Sequence, residues 1–569
     1  MKELSSEKRA LLAGVLSLVV IVVWSYFFAP KPKPQPPATP PAATQPATQP
    51  GTQTGVPAPA AVKPGAPTSP QAKAATDEKT IVIENGLYRV ELSNRGAVVR
   101  SWVLKKYTDD NKPARPLDLV HAEAAQKFGW PFSLALDDAA LEQQVNGALY
   151  EVTPAAGPLD APAEVRFEWS DGRTAVTKKL KFESGSYVVQ VETSVTVDGQ
   201  ARAHGVAWRG GFGDATVFKA PELVQVFYSA GGKFTTVPNK ELGVPDQPAQ
   251  RHRRAGSADY GGIEDLYFAA AFVPEKAGTL ALTDWRLDRD VVVDGKAAKE
   301  PLAEVAAGSS EGAVPLALRV FVGPKDLDIL KAQNPPMGEL VEFGWMEFIA
   351  APLFYLLRWI YDYVPNYGWA IIIMTVAINM VLFPLKLKSW RSMQKMQKVA
   401  PEVKSIQERY KKYGMRDPRK QQMNQEIMEL YKRGGINPVG GCLPMLLQMP
   451  IWFGLYRMLT VTIELRHAPW ILWIHDLSVK EQPFPFLAIL MGVTMYVMQK
   501  MTPMTATDPA QQKMMTMMPL MFGGMFVIFP VSSGLVLYIL SSNVVGIAQQ
   551  WYLNQHAPAD LKPGRGKKK

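Results

Sequence analysis

The chain has 569 residues, a formal charge of +10 and 47% hydrophobic residues, a length at which a soluble protein divides into several domains. Its apolar residues are uneven: every methionine but Met1 falls after residue 336, with most of the long apolar runs, so the chain is part soluble and part membrane-embedded. A single cysteine, Cys442, excludes an intrachain disulfide, and Lys and Arg clustered beside apolar segments point to membrane topology and anionic phospholipid before nucleic acid. Ribosomal RNA is the remaining nucleic-acid partner for the basic segments, with no specific sequence implied.

Residues 1–28 read as a membrane anchor. Lys2, Lys8 and Arg9 precede the apolar run Ala10–Phe28, about 28 Å long as a helix. The run exceeds a signal-peptide core and lacks a small-x-small cleavage site. A retained span with a cytoplasmic N-terminus is favoured over a cleaved signal. Residues 29–78, rich in Pro, Ala, Gln, Thr and Gly, cannot bury enough apolar surface to order themselves and read as an extended tether.

Residues 79–336 read as one domain: Lys79–Pro324 alternates with period two between turn residues such as Asn85-Gly86 and Asp198-Gly199, and a short helix over Asp326–Lys331 follows, ended by Asn334-Pro335-Pro336. A large β-sandwich is expected. Trp102, Trp130, Trp169, Trp208 and Trp285 either fill its core or line a cleft, core being favoured. His121, His204 and His252 show no metal-ligand spacing, and Arg251-His252-Arg253-Arg254 reads as a solvated loop. No catalytic motif, phosphate loop or cofactor signature is present. The expectation is therefore a non-enzyme with no cofactor and no metal site.

Residues 337–364 follow, with an amphipathic helix over Leu340–Tyr363 suited to the headgroup plane. Five spans are then expected: Tyr367–Leu385 within residues 365–385, and four more within 436–552, near Gly440–Val461, Phe484–Met498, Met514–Phe529 and Gly534–Trp551. Between them, residues 386–435 form a helical hairpin broken at Gly414–Pro418. Lys386–Arg433 holds 14 Lys or Arg against 5 Asp or Glu, so the hairpin is cytoplasmic. Its basic residues Lys395, Lys398, Arg409 and Arg416 are candidates for docking. Thr462–Pro483, with Arg466 and Lys480 against Glu464, Asp476 and Glu481, falls outside, where His467 and His475 have no evident partner. The basic tail, residues 553–569, is cytoplasmic. The fold class is thus a polytopic α-helical membrane protein with six spans, a large β-sandwich domain outside and a cytoplasmic helical hairpin.

Arg457 is the main ionisable group in the spans and sits where it can snorkel outward. That scarcity disfavours an ion-coupled carrier. Uncharged polar residues stand out instead: Thr375, Asn379, Gln448, Thr494, Ser541, Ser542 and Asn543. Thr375 and Asn379 are four apart and share a helix face. They either bond between helices or line a wet cavity. Two expected spans, Phe484–Met498 and Met514–Phe529, reach only about 23–24 Å against a hydrocarbon thickness of ~30 Å. A thinned bilayer beside a wet cavity lowers the cost of moving polar chain across.

Several stretches resemble the bacterial membrane protein insertase family (the YidC/Oxa1/Alb3 group) in its Gram-negative form. The likeness lies in Asn437-Pro438-Val439-Gly440-Gly441-Cys442-Leu443-Pro444, Gln448-Met449-Pro450-Ile451, Glu464-Leu465-Arg466, Trp473-Ile474-His475-Asp476-Leu477, Asp508-Pro509-Ala510-Gln511-Gln512-Lys513 and Phe529 to Asn543. It implies a periplasmic β-sandwich, five core spans around a hydrophilic groove, and insertion of membrane proteins without nucleotide hydrolysis. The implied partners are nascent clients, the ribosome, SecYEG and accessory Sec proteins. The implied location is the inner membrane, with both termini cytoplasmic. The resemblance makes Thr375, Asn379, Gln448, Tyr538 and Asn543 the groove or client-contact residues. It also marks a departure: Asn379 stands where the family usually has an arginine. A small-molecule transporter is the alternative, without the inverted repeats or mid-membrane ion site it needs.

Overall fold

The computed structural model describes residues 71–556, apart from 155–156, 218–219, 294–295, 415–416, 438–442, 503–508 and 530. The expected N-terminal span, most of the linker, Arg416, Cys442 and the basic tail lie outside the described residues.

Period-two sequence becomes strand between Thr80 and Pro324. Thr80–Glu84 buries Ile81 and Ile83, and Thr174–Phe182 buries every second residue from Thr174 to Phe182. The strands form three sheets of ten, five and five strands, not a simple two-sheet sandwich. The ten-stranded sheet runs from Lys233–Pro238 to Glu151–Thr153, with Leu316–Pro324 and Val188–Val197 paired near its middle. Residues from all three sheets meet in one buried cluster. Trp102, Trp169, Trp208 and Trp285 are buried, as a core role requires. Trp130 is only partly buried, with the Arg100 guanidinium 4.3 Å from its ring centre. Short helices at Ala122–Phe128 (α1), Ala139–Gly147 (α2) and Ala220–Leu223 (α3) were not expected. They are too short to show a 3.6-residue period.

The basic tetrad is not a solvated loop. His252–Ala258 is a strand. Arg251 reaches the Glu142 carboxylate with both guanidinium nitrogens, at 2.6 and 2.8 Å. Arg254 pairs with the fully buried Asp284.

The same alternation puts Lys178 on the inward face of its strand, fully buried. Its three N–H donors meet the carbonyl oxygens of Phe132 at 2.6 Å, Ala97 at 2.7 Å and Gly96 at 3.3 Å. Ala97 and Phe132 both have positive φ, 51° and 66°, unfavourable for residues with a Cβ. The ammonium thus ties down two strained turns. Burial pushes it down to about 7.

Asp326 caps the short helix Leu327–Lys331 (α4) by accepting from Asp328 N and Ile329 N. The expected amphipathic helix begins seven residues late, at Glu347, and runs to Tyr363 (α5). Gly344, at φ +70°, breaks the turn before it. Ala350, Phe354, Leu357 and Ile360 recur at helical spacing and are buried. Phe348, Tyr355, Trp359 and Tyr363 are exposed.

The largest departure is Tyr367–Arg409 (α6), one continuous helix of 43 residues. It joins the expected span to the first arm of the expected hairpin and spans about 64 Å. Asn366 caps it by accepting from Trp369 N. Pro384 and Pro401 lie inside it. Arg419–Arg433 (α7) follows, then Leu443–Val461 (α8), Phe486–Met501 (α9), Pro509–Ile528 (α10) and Ser533–Gln555 (α11). Among the described residues, α6 alone is both long and apolar enough to cross a membrane; α9 and Lys513–Ile528 are shorter apolar helices. At 20 residues α10 is longer than expected, whereas α9, with 16, remains about 24 Å long. Helices α9 and α10 cross at glycines. A Cβ on Gly523 would lie 2.8 Å from the Gly492 Cα, so a side chain there forces the helices apart.

Candidate functional site

One face of α6 carries Ile371, Thr375, Asn379 and, two turns on, Lys386. The opposing face of α11 carries Tyr538, Ser542 and Gln549. The spacings are multiples of one helical turn, so each set lines up along its helix. Thr375 and Asn379 are closed from solvent, and their polar atoms are partnered. Thr375 Oγ1 donates to Ile371 O at 2.6 Å. Asn379 Nδ2 donates to Thr375 O at 2.8 Å and reaches Ser542 Oγ at 3.3 Å. Gln549 Nε2 donates to Asn379 O at 3.1 Å.

Lys386 completes the cluster. Its ammonium donates to Asn379 Oδ1 at 2.6 Å and to Gln549 Oε1 at 3.2 Å. Both acceptors are neutral amides, which orient the charge without cancelling it. Pro384 lies between the two α6 residues and has no N–H to give the Met380 carbonyl, which adds an acceptor with no helical donor of its own. Lys386 was hidden in the sequence as the first residue of a basic segment. The signal that could have found it was its seven-residue spacing from Asn379.

The other expected groove residues fall into two further pairs. Gln448 on α8 donates to the Tyr538 hydroxyl at 3.0 Å, across to α11. Asn543 is one residue past Ser542 and so points away from it, toward α9, where its Nδ2 meets Thr494 Oγ1 at 3.3 Å. In the hairpin arms Lys395 and Lys398 are exposed. Arg409 pairs with Glu426 of α7 at 2.7 Å. Tyr410 donates to the same carboxylate at 2.6 Å, a bond that holds its hydroxyl above the ordinary phenol range.

A second polar cluster joins loop 462–483 to the β-domain. Arg466, buried, is paired with Asp214 at 2.5 Å and donates to Thr108 O at 2.6 Å. His467, expected to lack a partner, bonds Asp110 at 2.7 Å and Thr108 Oγ1 at 3.1 Å. These partners lie more than 250 residues away in sequence, beyond the reach of local patterning. Arg457 donates to Glu342 O at 2.8 Å and lies 3.2 Å from the Glu342 carboxylate. Burial pushes the Glu464 carboxyl up to about 7.

Two family models cover most of the chain. Residues 80–356 match the YidC periplasmic domain, and residues 359–560 match the 60Kd inner membrane protein family. The membrane protein insertase YidC of Geobacter metallireducens is 37% identical over 97% of this chain and 99% of its own length. That of Pelobacter propionicus is 35% identical over 96% and 99%. That of Syntrophus aciditrophicus is 32% identical over 97% and 100%. With a β-domain before a helical region, and both matched in that order, the chain belongs to the YidC/Oxa1 family of membrane protein insertases, in the Gram-negative form that sits in the inner membrane and carries a large periplasmic domain.

Proposed function

We propose that the insertase activity of this chain runs through the polar seam between α6 and α11, with Thr375, Asn379, Lys386, Ser542 and Gln549 as its centre and Gln448, Tyr538 and Asn543 along its flanks. The observation that carries this reading is the Lys386 ammonium held by Asn379 and Gln549 beside an otherwise apolar helix face. Polar chain crossing hydrocarbon loses its hydrogen bonds to water, at a cost of several kcal/mol for each unpaired group. A seam of amides, hydroxyls and one cation replaces those bonds locally. Beside it α9 is short, so the polar distance to cross is reduced. No nucleotide or cofactor enters the scheme; insertases of this family are generally non-catalytic.

Topology follows from the charge pattern. The N-terminal anchor, α6, α8, α9, α10 and α11 make six spans, both termini are cytoplasmic, and the α6–α7 hairpin is cytoplasmic. Lys395, Lys398 and Arg409 of the hairpin then face ribosome and anionic lipid. SecYEG and its accessory proteins are the further partners of a chain that works both alone and beside the translocon.

Photocrosslinkers placed at 375, 379 and 448 in cells carrying stalled nascent membrane proteins test the seam. The expected result is client adducts from these positions and none from Val544, exposed on the far side of α11. Adducts at Val544 alone, or at none of the four positions, would sink the reading.

A further inference from the structure

The turn after Val98–Thr108 and loop 462–483 bring together three groups of metal-ligand type. The Asp110 carboxylate, the His467 imidazole and the Asp476 carboxylate each offer an atom, and all three atoms lie within 4.8 Å of one another. His467 Nε2 is 2.7 Å from Asp110 Oδ1 and 3.8 Å from Asp476 Oδ2. Ligand atoms around a tetrahedral zinc ion sit about 3.3 Å apart, between these two separations.

The groups behind the three are fixed. His467 Nδ1 meets Thr108 Oγ1 at 3.1 Å, which orients the ring and leaves Nε2 to face the carboxylates. Asp476 Oδ1 accepts from both Ser478 N and Ser478 Oγ at 2.7 Å, which leaves Oδ2 on the His467 side. Anchored second atoms of this kind are what metal-binding His and Asp residues need. His467 is also held at φ +56°, a conformation costly for a residue with a Cβ.

Charge points the same way. Arg466 Nη2 approaches Asp110 at 3.9 Å, but it is taken by Asp214 at 2.5 Å. With that pair set aside, the carboxylates of Asp110 and Asp476 both face the His467 imidazole. Two carboxylates and one imidazole are a donor set of the kind a divalent cation takes. Asp110 is exposed, while His467 and Asp476 are half-buried, so an ion has a path from solvent.

We propose that Asp110, His467 and Asp476 bind a divalent transition-metal cation of the zinc class, with water completing its coordination. One imidazole and two carboxylates suit such an ion better than Mg2+ or Ca2+, which take oxygen ligands. The ion clamps loop 462–483 to the β-domain, from which Asp110 comes.

The test uses the full-length protein in detergent after chelation and desalting, titrated with ZnCl2. Expected are saturable binding at micromolar zinc and a rise in melting temperature that EDTA reverses. Co2+, as a spectroscopic stand-in, gives a visible absorption band at one equivalent. His467→Gln and Asp476→Asn weaken zinc binding by about 10- to 100-fold or more and abolish the cobalt band. Asp110→Asn, at an exposed position, loses the band while tryptophan fluorescence shows the fold intact. His252→Gln, at an exposed histidine elsewhere on the β-domain, binds zinc as the wild type does. Equal zinc affinity in the wild type and the three site variants would overturn the proposal, as would stabilisation by Mg2+ or Ca2+ in place of zinc.

Discussion

Lys386→Met lowers the insertion of clients whose translocated segment carries acidic residues by about tenfold or more, the equivalent of 1.4 kcal/mol, while Lys386→Arg retains most of it. The wild-type ammonium sits between two amide oxygens with no carboxylate among its bonded partners. Two unit charges 4 Å apart attract by about 4 kcal/mol at an effective dielectric of 20, so a tenfold loss is a conservative fraction of the available energy. Asn379→Leu removes one of the two acceptors that position the ammonium and has a smaller effect of the same sign. Asn379→Arg alone brings a second cation against Lys386 and is poorly tolerated. Paired with Lys386→Gln, it carries the charge on the residue where the resemblance expects an arginine, and it restores growth. Complementation of an insertase-depleted strain, with pulse-labelled insertion of acidic and neutral clients, reads all five variants. Equal insertion of acidic clients by the wild type and Lys386→Met removes the charge from the mechanism.

Lys178→Met destabilises the periplasmic β-domain by on the order of 3–5 kcal/mol. The methionine fits the apolar face of the strand but donates nothing. The carbonyls of Gly96, Ala97 and Phe132 then lose a buried donor, and an unsatisfied buried polar group costs about 1–3 kcal/mol. Ala97 and Phe132 also lose the contact that holds their left-handed backbones in place. The pH dependence has a definite sign. Burial places the folded-state ammonium at about 7, below its ordinary 10.5, so between those values the unfolded chain holds more protons. Wild-type stability therefore rises with pH from 7 to about 10, and the methionine variant lacks that slope. Urea unfolding of the full-length protein, followed by tryptophan fluorescence at several pH values, measures both effects. An unchanged midpoint in the variant would show that the three carbonyls find other donors.

Thr375 and Asn379 were legible as a polar pair because both sit on one helix and obey one period. Gln448, Tyr538 and Asn543 were legible as polar or aromatic residues of spans, but their grouping was not. Whether Asn543 faces Asn379 or Thr494 depends on a rotation of about 100° between it and Ser542, which helix packing decides. Lys386 was obscured by its neighbours, since a lysine opening a run of basic residues reads as topology. The strands of the β-domain were legible from alternation, but the burial of Lys178 was not. Three sheets in place of two were not, because strand order rests on pairings such as Val82 with Glu91 and Gln190 with Arg319, which alternation leaves undetermined. The contacts of Arg466 and His467 required the fold itself.

The unbroken run of α6 from Tyr367 to Arg409 has a mechanical consequence. A rod of about 64 Å transmits torque, so a load applied to its hairpin end is felt at its buried end. From Pro384 to its hairpin end the rod is about 38 Å long, so a tilt of about 6° there displaces that end by about 4 Å. Pro384, where the ladder of hydrogen bonds is interrupted, lies between Asn379 and Lys386 and is the natural fulcrum. A load that bends the helix at Pro384 therefore changes the separation of Asn379 and Lys386, which lie on either side of it.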